Sequence, residues 1–154
     1  MRVCSLMLFC AVIFLCIGGS GAESIPSLPE IEGWVCGELR TVQLDAVSGN
    51  QGYWQERDYR TEGGVSLKAT LLWGTGPRFY NQPTAGVSAS AGEATYEIVS
   101  IGGFKSTVER DPLLGYSVAV NAFDRMFSLT VECDPYVNRD ELLRVVEALL
   151  EGIE

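Results

Sequence analysis

The chain has 154 residues, 47% hydrophobic and 20% charged, with eleven Lys and Arg against twenty Asp and Glu and no His. This size suits one domain rather than a large multidomain enzyme. The missing His excludes the Ser-His-Asp triad, the Cys-His pair and His-ligated zinc or haem. A net charge of −9 has the wrong sign for nucleic acid, so no nucleic-acid partner is expected.

The chain opens as an export signal. Met1-Arg2 supplies a positive start, Val3 to Ile17 carries no charge, and Leu6-Met7-Leu8-Phe9 with Ala11-Val12-Ile13-Phe14-Leu15 forms the apolar run. Ser20-Gly21-Ala22 then has the small-x-small pattern of a cleavage site. Residues 1–22 are read as a signal peptide cleaved after Ala22, giving a secreted or periplasmic protein that meets the membrane only through this segment. The other reading is a retained anchor, but the run is shorter than the roughly 20 residues that span a bilayer. Cys4, Cys10 and Cys16 lie inside the segment, and Phe9 and Leu15 stand where a lipidated cysteine needs a small residue. Cleavage removes Arg2 and no acid, so the charge moves from −9 to −10.

Cys36 and Cys133 remain. In an oxidising compartment an even pair points to one disulfide, here closing a loop of about 98 residues and worth on the order of 4–5 kcal/mol. The alternative is two separate buried thiols.

Residues 23–33, with Pro26, Pro29 and Gly33, read as an extended arm ahead of a domain over 34–154. From Cys36 the dominant period is two. Leu39 to Leu44 is a short strand and Val47 to Gly52 a turn. Tyr53 to Thr61 alternates Tyr53, Gln55, Arg57, Tyr59 and Thr61 against Trp54, Glu56, Asp58 and Arg60. Glu62-Gly63-Gly64 turns the chain, and Val65 to Trp73 returns with Leu67, Ala69, Leu71 and Trp73 on one face and Ser66, Lys68 and Thr70 on the other. Gly74 to Gly92 is a long Gly/Pro/Ser/Ala-rich loop, a length that marks function or mobility. Strands follow at Thr95–Ile101, Phe104–Glu109, Tyr116–Val120 and Phe127–Cys133, short-linked as an antiparallel meander.

A helix closes the chain. Asn138 is its N-cap, with Glu141 at capping-box spacing and Val137 and Leu142 as a hydrophobic staple. Leu142, Val145, Val146, Leu149, Leu150 and Ile153 make an apolar stripe that has to be buried. The expected fold class is α+β: an antiparallel β-sheet with the C-terminal α-helix packed on one face.

For chemistry, Trp73 to Pro83 gathers Trp73, Arg78, Phe79 and Tyr80 around glycine. Rings give flat contact area and Arg78 a forked anion donor, so Trp73, Arg78 and Tyr80 are the expected ligand contacts. The plainer reading is that Trp73 and Phe79 bury themselves to hold the loop. The strand face Trp54, Glu56, Asp58, Arg60 offers paired acids for hydrolysis only if one is desolvated; mixed charge on a wet strand is ordinarily cross-strand pairing. Asp134, Asp140 and Glu141 lack EF-hand spacing, and neither Lys68 nor Lys105 lies in Ser-x-x-Lys. No metal, cofactor or catalytic residue is expected.

Two resemblances bear on this. Leu28-Pro29-Glu30-Ile31-Glu32-Gly33-Trp34 resembles the LPxxxGW opening of a group of uncharacterised bacterial exported proteins. Tyr96-Glu97-Ile98, Gly103-Phe104, Phe127 to Val131 and Asp140 to Leu150 are similar in order to PsbP-like domains. That resemblance implies an antiparallel sheet flanked by helices and a non-enzymatic accessory role, and it transfers no site residue. The expectation is therefore an exported accessory or binding module for an envelope protein or a small-molecule ligand. A carboxylate-dependent hydrolase and a structural subunit of an envelope complex are the alternatives.

Overall fold

The structure, a computed structural model, describes residues 25–75 and 94–153. The segment read as a signal peptide, and Arg78 and Tyr80 of the stretch expected to form a loop, lie outside them. The strands are β1 (Val35–Cys36), β2 (Arg40–Ala46), β3 (Gly49–Arg60), β4 (Ser66–Gly74), β5 (Thr95–Ile101), β6 (Phe104–Asp111), β7 (Gly115–Ala122) and β8 (Phe127–Cys133). A 3-10 turn (Phe123–Arg125) precedes β8, and helix α1 (Arg139–Ile153) follows it.

The strands form one eight-stranded antiparallel sheet in the order β1-β3-β4-β8-β7-β6-β5, with β2 also paired to β3. Two meanders are thus joined where β4 meets β8 along Leu67↔Cys133, Ala69↔Val131 and Leu71↔Leu129. These are inward residues of both strands, so matching alternation sets the register. At the far end of the β3–β4 pair Gly52 faces Gly74, both at positive φ, and a Cβ on Gly52 would lie 1.8 Å from the Trp73 carbonyl oxygen. Only glycine permits that approach.

One sheet face is sealed. Helix α1 buries Leu142, Val145, Val146, Leu149, Leu150 and Ile153 against Val108, Val118, Val120, Leu129 and Val131. The cap forms as the sequence indicates. The Glu141 N–H donates to Asn138 Oδ1 at 2.9 Å, the Asn138 side-chain amide donates to Glu141 Oε2 at 3.4 Å, a side-chain pair where a capping box uses the backbone N–H, and Val137 and Leu142 are both buried. Arg139 ties the start of the helix to Glu97 of β5 at 2.6 Å.

The arm seals the rest, a role its composition does not reveal. Leu28 is 1% exposed, and its N–H donates to the buried Gln55 at 3.2 Å. Arg57 donates to the Leu28 carbonyl at 3.0 Å, and the Tyr59 hydroxyl donates to the Pro29 carbonyl at 2.7 Å. The alternation of Gln55, Arg57 and Tyr59 against Trp54, Glu56 and Asp58 therefore has a polar lining on its dry side. These side chains satisfy the backbone of an irregular segment that has no ladder of its own.

The expected bridge is not formed: Cys36 and Cys133 are free thiols. They lie on one cross-strand row, Cys36↔Tyr59, Tyr59↔Leu67, Leu67↔Cys133. Two strands stand between them, so their Cα atoms are three spacings, about 14 Å, apart. A disulfide needs less than about 7 Å. Even number and compartment argued for a pair; sheet register separates it.

Candidate functional site

Among the described residues both elements that cover the sheet, α1 and the arm, lie on the same face. The other face carries Trp54, Glu56, Asp58 and Arg60 of β3, Ser66, Lys68, Thr70 and Leu72 of β4, and Ser128, Thr130 and Glu132 of β8, by alternation from the core residues, with Ser128 itself buried. At the end of the strands where β1 sits, this face hollows into an open concavity of ≈ 560 Å³. Asp58, Arg60, Ser66, Lys68, Glu132 and Asp134 line it, with Val35 at its margin. Two register rows assemble it: Asp58↔Lys68↔Glu132, and Val35↔Arg60↔Ser66.

Asp134 closes the second row. Its carboxylate accepts from the Ser66 backbone N–H at 2.9 Å and the Ser66 hydroxyl at 2.7 Å, while its own N–H donates to the Ser66 carbonyl at 3.1 Å. The two hydrogen bonds from Ser66 hold the Asp134 carboxyl below the usual range. It is a fixed anion, not a proton donor near neutral pH. Glu56 sits just beyond the hollow, between Arg40 at 3.3 Å and Lys68 at 3.7 Å. Three carboxylates and two cations in the hollow suit a ligand or protein surface that carries both signs.

Of the two acids that the hydrolase alternative would use, Glu56 is held in cross-strand ion pairs with Arg40 and Lys68, and Asp58 stands opposite Lys68 in register. Asp111 also moves down, held by the N–H groups of Leu114 and Leu113. Among the described residues no group of three or more Cys, Asp and Glu has the geometry to hold a metal ion. Burial pushes the Cys133 thiol up, which leaves it a poor nucleophile.

Of the expected contact residues, Trp73 lies near the end of β4, where the alternation placed it. It is half-buried against the core and stacks on Tyr53 with ring centroids 5.8 Å apart. Trp73 lies on the face covered by α1 and the arm, away from the hollow. Arg78 and Tyr80 are outside the described residues. The hollow brings together Asp58 and Arg60, which the sequence marked, with Ser66, Lys68, Glu132 and Asp134, which it did not mark as a group. The alternation of each strand carries the signal for them; pairing β4 with β8 across 68 residues of sequence does not show in it.

No family model, no curated protein and no solved structure matches the chain. Among the described residues no helix is long and apolar enough to cross a membrane.

Proposed function

We propose that this chain is an exported, non-catalytic binding module that takes up an envelope protein or a small ligand on the sheet face turned away from α1, with the hollow at Asp58, Arg60, Lys68, Glu132 and Asp134 as the seat. One observation carries the reading. The hollow exposes charged side chains of both signs on a rigid four-strand floor, while its ordered carboxylate, Asp134, is held ionised by Ser66. A rigid floor with adaptable charged tips suits recognition. Acid catalysis needs a carboxyl poised near neutral pH, the opposite displacement.

The test places a photo-crosslinking residue at Lys68 and exposes the exported protein to its own envelope fraction. One discrete adduct is expected, lost in the Arg60→Glu variant while the melting temperature holds. In parallel, ester, glycoside and peptide substrates are expected to show no turnover. Turnover abolished by Asp58→Asn would replace the reading with the hydrolase alternative.

A further inference from the structure

The sheet has two edges, and they differ. On one side β1 is only two residues long, and β2 carries Arg40, Asp45 and a register break between Leu44 and Asp45. Short strands, charges and bulges are the ordinary defences of an edge. On the other side, among the described residues, β5 pairs only with β6 and runs seven residues, Thr-Tyr-Glu-Ile-Val-Ser-Ile, in unbroken register. It has no Pro, no Lys and no bulge. Its one charge, Glu97, points to the helix side and is paired with Arg139. Tyr96 is 49% exposed and Ile98 65%.

The direction of the free backbone groups follows from the alternation. In a strand of L-residues, side chains on one face go with N–H and C=O groups on one flank, and the flank reverses in each antiparallel neighbour. Ser66, on the face away from α1, directs its C=O and N–H toward Asp134 on β8. Carried strand by strand through β8, β7 and β6, that alternation leaves Tyr96, Ile98 and Ser100 facing out from β5. These three positions are symmetric about Ile98.

We infer that β5 is a self-association edge, joining a second copy of this chain antiparallel about a two-fold axis at Ile98. Ile98 then meets Ile98 of the partner copy as a hydrogen-bonded pair, and Tyr96 lies opposite Ser100 on both sides of it. On the helix side Glu97 faces Val99 and Thr95 faces Ile101. Every free N–H and C=O of the strand finds a partner, and no charge stands opposite a like charge. The occupant is a second copy because this register puts the Tyr96–Glu109 pair of one copy in one cross-strand row with the Ser100–Lys105 pair of the other, acid at one end and base at the other on both sides of the axis, while the strand itself is locally neutral in a chain of net charge −9. The inference is independent of the binding role proposed for the hollow.

Sedimentation equilibrium of the exported protein is expected to give twice the chain mass at high micromolar concentration, with tighter association at higher salt as like net charge is screened. Ile98→Lys sets two ammonium groups on the axis and is expected to weaken association at least tenfold with an unchanged melting temperature, since the side chain is exposed. Ile98→Cys under mild oxidant is expected to yield a covalent dimer whose linked peptide maps 98 to 98, because opposed Cα atoms about 5.5 Å apart lie within disulfide range. A protein monomeric at all concentrations, a dimer indifferent to Ile98→Lys, or cross-links that map elsewhere would each overturn the inference.

Discussion

Tyr59 shows how a single residue links arm, sheet and pH. Its side chain is 1% exposed, and its hydroxyl donates to the Pro29 carbonyl. Burial pushes its pKa up to about 12, with the Arg57 guanidinium pulling the other way. A tyrosine raised from 10 favours the neutral form in the folded state. Its contribution is complete below pH 10 and is lost as pH rises toward 12. Tyr59→Phe leaves the Pro29 carbonyl without its donor and is expected to cost about 1–2 kcal/mol in urea unfolding at neutral pH. The gap between wild type and variant is expected to narrow between pH 10 and 12. A constant gap would mean that the hydroxyl does not titrate with the fold.

Among the elements, the arm and the C-terminal turn of α1 depend on each other. Gly152 lies in α1 where a Cβ would come within 2.6 Å of the Pro29 ring. By helix propensity alone Gly152→Ala should stabilise, by up to about 1 kcal/mol. With the arm docked, the added methyl meets Pro29, and overpacking of this kind costs about 1–3 kcal/mol. Net destabilisation is therefore expected in the otherwise unchanged chain. In a Leu28→Ala background, where the arm has lost its buried anchor, the same substitution is expected to turn neutral or stabilising. Thermal melts of the two single variants and the double variant give the coupling directly. Additive effects would show that the arm does not rest on the helix.

Across the molecule, sheet order governs what the cysteines can do. With β3 and β4 between them, Cys36 and Cys133 have no bonding partner in each other. Cys36 is partly exposed beside Tyr59, its thiol donating to the Trp34 carbonyl at 3.7 Å, whereas Cys133 is buried, its thiol donating to the Tyr116 carbonyl at 3.3 Å. A thiol assay on protein from residue 23 onward is expected to find one reactive sulfhydryl in the folded state and two after denaturation. Finding none after denaturation without reductant would restore the bridge and require a different strand order.

The local rules of the chain were legible in residues alone. Alternation placed Thr95–Ile101 and Phe127–Cys133, the Asn138–Glu141 spacing located the start of α1, and the apolar stripe required a sheet face to bury it. Each depends on contacts a few residues apart or on a periodicity, so nothing distant is needed to read it. Tertiary structure alone decided which strands are neighbours, and with that the separation of the two thiols, the hollow that unites Asp58 and Arg60 with Lys68, Glu132 and Asp134, and the docking of Leu28. Strand order is set by how two meanders share one core, a property of the whole packed chain that no local pattern encodes.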